Sequence, residues 1–147
     1  MQDLSLHILD IIENSVNAGS TRVEVRILEN ASADLLTLKI RDNGRGMDAE
    51  TARKALDPFY TTKPGKRVGL GIPLLAQAAR EGGGALALDA RPGRGISMTA
   101  TFKISHPDLK PMGDIEGTMR MLRITHPDIE FIYDYVRKQD QPKGESS

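Results

Sequence analysis

The sequence predicts an α+β domain in which antiparallel hairpins form a sheet and helices cover one of its faces. Three observations predict it. An amphipathic helix opens the chain, two pairs of segments carry the two-residue period of strands, and further helical segments lie between those pairs. Short turns rich in Gly, Asn and Asp join the members of each pair, so each pair reads as a hairpin.

Residues 3–17 form the first helix. At about 100° per residue, Leu4, Ile8, Ile11, Ile12 and Ser15 fall on one side. Asp3, His7, Asp10, Asn14 and Asn17 fall on the other, and Gly19 is the stop signal. Strands are expected over 21–28, with Val23, Val25 and Ile27 aligned, and over 35–41, with Leu36, Leu38 and Ile40 aligned. Asp48 caps a short helix reaching about Leu56, and 57–68 is a loop broken by Pro and Gly. A third helix occupies 69–81, with Leu70, Leu74, Leu75 and Ala78 inward. Strands at 85–89 and 96–104 close the pattern around a Gly-rich turn at 92–95. The chain therefore divides into a domain over 1–104, an extension over 105–138 and a polar, disordered tail over 139–147. Within the extension, 113–123 reads as a helix and 129–136 as a short strand or helix. Its apolar residues Leu122, Ile124, Ile129, Phe131, Ile132 and Tyr133 either pack on the sheet or meet another chain. The extension is expected to serve as a partner surface, dispensable for the site in the first domain.

Composition narrows the function. Among 147 residues, 20 Lys plus Arg balance 20 Asp plus Glu, which argues against a strongly basic nucleic-acid binder. No apolar stretch is long enough to span a bilayer, and residues 1–10 lack the basic start of a signal peptide. The absence of cysteine excludes disulfides, thiolate metal sites and cysteine nucleophiles. His7, His106 and His126 are too scattered for a zinc signature. The expectation is a cytoplasmic protein without membrane or nucleic-acid partners.

Three constellations carry chemistry. Asp10, Asn14 and Asn17 share one side of the first helix. Such a stripe is compatible with a plain solvated face, yet two interior Asn residues and no Lys or Arg are unusual for one. An Asn amide oxygen suits Mg²⁺, and a carboxylate one turn earlier suits a water. Asp42-Asn43-Gly44-Arg45-Gly46-Met47 follows a strand. It reads as a turn, or as an acceptor carboxylate beside backbone that can approach an amino group such as that of adenine. In 57–72, Thr61, Thr62, Lys63, Lys66 and Arg67 precede Gly69-Leu70-Gly71 at a helix start, where exposed N–H groups favour phosphate. That stretch is otherwise an exposed surface loop. A metal ligand, an amino-group acceptor and a phosphate cradle together are the parts of an ATP site.

Over residues 3–104 the chain resembles the GHKL superfamily of gyrase, heat-shock chaperone, histidine kinase and mismatch-repair ATPases. Residues 13–19, Glu-Asn-Ser-Val-Asn-Ala-Gly, resemble the N box, most closely its mismatch-repair version. Asp42, Gly44 and Gly46 match the G1 box, and residues 57–64 resemble the F box of bacterial histidine kinases. Gly69, Leu70 and Gly71 match the G2 box, and Gly93-Arg94-Gly95 the last glycine box. The resemblance implies the Bergerat fold: a two-layer α/β sandwich with a mixed, mostly antiparallel sheet, helices on one face and ATP between helices and lid. It implies Asn14 as the magnesium ligand, Asp42 on the adenine amine, and nucleotide contacts from Asn17, Gly44, Gly46, Met47, Phe59, Thr61, Thr62, Lys63, Gly69, Leu70 and Gly71. Asp10 stands where hydrolysing members carry a catalytic Glu and is one methylene shorter. Ile96 follows Gly95 where many members place a threonine near the adenine, and Ser97 beside it is the candidate to compensate. No dimerisation helix with a phosphoacceptor histidine precedes residue 1, which favours a stand-alone protein. The whole chain also resembles small ATP-binding proteins encoded near iron-hydrogenase subunits.

The function expected is Mg²⁺-dependent ATP binding with γ-phosphate transfer to a separate protein, Asp10 and Lys63 being the catalytic candidates. Lys63 is expected to touch the γ-phosphate from a loop that closes over it. The alternative is a slowly hydrolysing ATPase that switches a partner, and a third reading is a binding module without turnover. A homodimer is compatible with each.

Overall fold

The computed structural model describes residues 3–56, 71–107, 109 and 112–138. The expected lid loop over 57–68, with Phe59, Thr61, Thr62 and Lys63, lies outside the described residues. So do Gly69, Leu70 and the tail over 139–147.

Asp3 starts α1 (Leu4–Asn17) by accepting a hydrogen bond from the Leu6 N–H at 3.1 Å. Its carboxyl sits below the usual carboxylate range because Ser5 Oγ, foremost, and Leu6 N–H donate to it. The other end closes with paired bonds, Gly19 N–H to Val16 O (3.0 Å) and Ser20 N–H to Ser15 O (3.2 Å), which is a Schellman motif. That turn sends the chain directly into β1 (Arg22–Asn30), which pairs antiparallel with β2 (Leu35–Asp42). Asp48 accepts from Thr51 N–H at 2.7 Å to start α2 (Ala49–Ala55). Then come α3 (Gly71–Glu81) and the hairpin of β3 (Leu86–Ala90) and β4 (Ile96–Lys103). The element types and order match the sequence reading, with borders moved by one or two residues.

The sheet has the order β3-β4-β2-β1-β5 and is antiparallel except at β1–β5. The period of two puts Val23, Val25, Ile27, Leu36, Leu38, Ile40, Met98, Ala100 and Phe102 on the face covered by α1 and α3, and all are buried. From α1, Leu4, Ile8, Ile11 and Ile12 fill that layer, and from α3, Ile72, Leu75, Ala78 and Ala79. The opposite face carries Arg26, Lys39, Arg41, Ser97 and Thr99, the polar pattern of an antiparallel sheet solvated on one side. The fold is α+β with a mixed sheet, as expected.

The segment beyond residue 104 continues this architecture. It supplies α4 (Ile115–Thr125) and β5 (Glu130–Lys138), the latter parallel to β1. Of the two alternatives for its apolar residues, sheet packing holds for most. Leu122 and Phe131 are buried with Ile115 and Met119, and Ile129 and Tyr133 pack against the core, while Ile124 is 73% exposed. The choice between strand and helix for 129–136 falls to strand, because β1 offers an open row of backbone groups beside it.

Candidate functional site

The last residue of β2 gathers the site. Asp42 lies between Val23 of β1 and Ile96 of β4 in the sheet register, on the helix-covered face, and is buried. Its Oδ2 accepts a 2.6 Å bond from Ser15 Oγ of α1. Its Oδ1 accepts from Gly44 N–H at 3.0 Å and Ile96 N–H at 3.2 Å. A carboxylate offers about four acceptor positions. Three are used by these donors among the described residues, and the remaining one is on Oδ2.

The turn after Asp42 is tied down from three directions. Asn43 Oδ1 accepts from the N–H groups of Thr21 and Arg22 at 2.9 and 3.0 Å, and Asn43 Nδ2 donates to Thr21 Oγ1 at 2.9 Å. Arg45 N–H donates to Ala18 O at 3.1 Å, and its Nη1 to Asn17 O at 3.3 Å. Gly93 N–H donates to Arg45 O at 2.6 Å. Backbone approach is so close that two glycines cannot be replaced. A Cβ on Gly46 (φ +71°) would lie 1.9 Å from Arg91 O, and one on Gly95 (φ +80°) 2.0 Å from Asp42 O. The end of α1, the turn after β2 and the β3–β4 turn thus converge, which brings together three of the segments singled out in the sequence.

The remaining candidates distribute as follows. Asn14 is half-buried on α1, one residue before Ser15, and Asp10 and Asn17 are exposed at one turn on either side of it. Gly44 is buried, Gly46 and Met47 are half-buried, and Met47 packs against the core. Gly71 is the first residue of α3. His7 is buried. Ser97 does not stand in for a threonine near Asp42, because it pairs with Arg41 on the opposite, open face of the sheet. Sequence reasoning placed Ser15 among the apolar residues of α1 and missed its bond to Asp42. A lone hydroxyl within an otherwise aliphatic stripe was the available signal. Ser15→Ala is expected to cost about 1.5–3 kcal/mol, the range for a bond to a charged group. Urea unfolding followed by circular dichroism checks it, and unchanged stability would mean that Asp42 is held without Ser15.

Among the described residues no group of three or more His, Cys, Asp or Glu side chains could hold a metal ion. Mg²⁺ beside phosphates keeps several waters and takes only one or two protein oxygens besides those of the bound anion, so it needs no such cluster. Asn14 fits that donor set.

Residues 2–106 match the family described as histidine kinase-, DNA gyrase B-, and HSP90-like ATPase. The chain belongs to this family. It is thus a GHKL-type ATP-binding domain, and α4 and β5 lie beyond the matched stretch. The sensor protein kinase FleS of Pseudomonas aeruginosa is 38% identical over 93 residues, covering 63% of this chain and 23% of that protein. The signal transduction histidine-protein kinase AtoS of Escherichia coli is 33% identical over 99 residues, covering 67% of this chain and 16% of AtoS. The chain spans less than a quarter of the length of either relative. In fold, this GHKL domain is similar to the MutL ATPase domain of Aquifex aeolicus complexed with ADP. The TM-score is 0.53 at 17% identity, covering 90% of this chain and 62% of the other. It is likewise similar to the N-terminal domain of a DNA repair protein, with a TM-score of 0.64 at 13% identity, covering 96% and 51%. No helix among the described residues is long and apolar enough to cross a membrane.

Proposed function

We propose that this GHKL domain binds ATP with Mg²⁺ and gives the γ-phosphate to a separate protein. The observation that carries the nucleotide reading is the Asp42 carboxylate. It is held rigid by Ser15, Gly44 and Ile96 at a buried strand end, with an acceptor position left on Oδ2. An adenine amino group is the complementary donor. Asn14 would hold the magnesium, which when bound neutralises phosphate charge. Gly71 at the start of α3, with Gly69 and Leu70 directly before it in the sequence, would offer backbone N–H groups to the phosphates. Phe59, Thr61, Thr62 and Lys63 would cover them, with Lys63 at the γ-phosphate. The kinase half of the reading rests on the likeness to FleS and AtoS. With little covalent chemistry to perform, these residues would act by positioning and charge stabilisation.

Asp10 favours a second reading. It is exposed one turn before Asn14, and a carboxylate there would orient a water, which suits slow hydrolysis and a conformational switch. Incubation with γ-labelled ATP and fractionated lysate separates the two. Label on another protein supports transfer, free phosphate alone supports the switch, and neither leaves only binding.

Asn14→Ala is expected to weaken ATP binding in magnesium far more than binding of magnesium-free nucleotide, because the amide acts through the ion. Fluorescent-nucleotide titration with and without EDTA checks this, and equal losses in both would remove the metal role.

A further inference from the structure

β5 forms one edge of the sheet and is nine residues long. Its inner side is bonded in parallel register to β1, and the Glu130 N–H donates to Thr21 O at 2.9 Å. That bond sets the phase of the ladder. Glu130, Ile132, Asp134, Val136 and Lys138 turn their backbone groups to β1, and Phe131, Tyr133, Tyr135 and Arg137 turn theirs outward. Among the described residues one side chain reaches these outer groups, Arg123, which donates to Phe131 O at 3.3 Å. Protective devices for such an edge are short length, proline, a bulge and charged side chains, lysine above all, and here the central charge is Asp134. The strand has no proline, pairs with β1 residue for residue, and has its lysine only at the last position.

We propose that this outer edge pairs antiparallel with β5 of a second copy of the chain, about a two-fold axis at Asp134, making one continuous sheet of two domains. Apart from the like-charged Asp134 pair at the axis, the strand is complementary to itself in that register. Tyr133 meets Tyr135 of the second copy as a hydrogen-bonded pair, and Phe131 meets Arg137, so all four outward residues find partners. On the open face Glu130 meets Lys138 and Ile132 meets Val136. A two-residue slip in either direction sets Asp134 against Ile132 or Val136 and separates Glu130 from Lys138. A one-residue slip inverts the faces. The two Asp134 carboxylates face each other at the axis, each with Arg26 Nε of its own chain 3.8 Å away. On the open face Val136 is 53% exposed beside its register partner Leu28, and in the proposed pair Ile132 of the second copy would pack against Val136. Tyr135 is already fixed for the purpose, its hydroxyl donating to Glu29 of β1. The interface is isologous, as a closed dimer requires.

Sedimentation velocity of the full chain over a concentration series tests this. A reversible monomer–dimer equilibrium is expected. Tyr135→Pro removes an outward N–H and the side-chain bond to Glu29 while sparing every backbone bond to β1, so it should give a monomer with an unchanged far-UV spectrum. Should the proline disturb β5 itself, charge variants decide. Glu130→Lys or Lys138→Glu alone should raise the dimer Kd about three- to tenfold, and the double variant should return it toward the original value. A chain that stays monomeric at about 100 μM, or a dimer whose Kd ignores all the charge variants, overturns the proposal.

Discussion

Asp42→Asn is expected to lower ATP affinity by roughly 30-fold or more, about 2 kcal/mol, with the fold kept. The substitution preserves size and leaves Oδ1 to accept from Gly44 and Ile96. What changes is the atom facing Ser15. The amide replaces an acceptor oxygen with an N–H₂ group, and the Ser15 hydroxyl can rotate to accept from it. The second hydrogen of that group then points where the adenine amine would donate, so a charge-assisted bond becomes a donor facing a donor. Asp42→Ala is a poorer test. It strands the Ser15 hydroxyl and two backbone N–H groups at a buried strand end, and lost binding could then follow from local unfolding. Calorimetric titration of the Asn variant gives the answer, and wild-type affinity would remove the adenine assignment.

The parts of this site legible in the sequence were those set by local periodicity and local chemistry. The stripe of Leu4, Ile8, Ile11 and Ile12 required a helix, and the alternation through Val23, Val25 and Ile27 required a strand. The hairpins followed from turns a few residues long. What sequence reading could not supply was pairing across distance. Ser15 and Asp42 are 27 residues apart, and the bond between them depends on how α1 crosses the end of β2. Ile96 N–H reaches Asp42 because β4 pairs with β2 although α2 and α3 intervene. The same limit left 129–136 undecided. Glu130–Lys138 mixes aromatic, β-branched and charged residues, and it is a strand because β1 would otherwise end the sheet with its backbone groups unpaired.

Truncation after Ser105, which the sequence alone would allow as harmless to the site, is expected to unfold the domain at room temperature. The cut removes Ile115, Met119, Leu122 and Phe131, all at most 6% exposed, from the layer shared with α1 and the sheet. Each fully buried side chain of this kind represents about 1.5–3 kcal/mol of burial. Their loss also uncovers parts of Val23, Val25 and Leu4 that the remaining chain cannot cover. β1 becomes an edge strand with a full row of N–H and C=O groups exposed beside apolar residues. The Ser5 N–H loses the Met112 carbonyl, which it reaches at 3.1 Å at the start of α1. Against a typical net stability of about 5–15 kcal/mol, these losses together are decisive. Because α1 carries Asn14 and Ser15, and β1 carries the register that places Asp42, nucleotide binding should vanish with the cooperative thermal transition rather than independently of it. Milder damage to the same layer should scale accordingly: Leu122→Ala is expected to cost about 2–5 kcal/mol while leaving ATP affinity near normal below its melting temperature. Thermal unfolding of both variants followed by circular dichroism checks the pair. A truncated chain that melts cooperatively near the full-length temperature and still binds ATP would show that α4 and β5 rest on a domain complete without them.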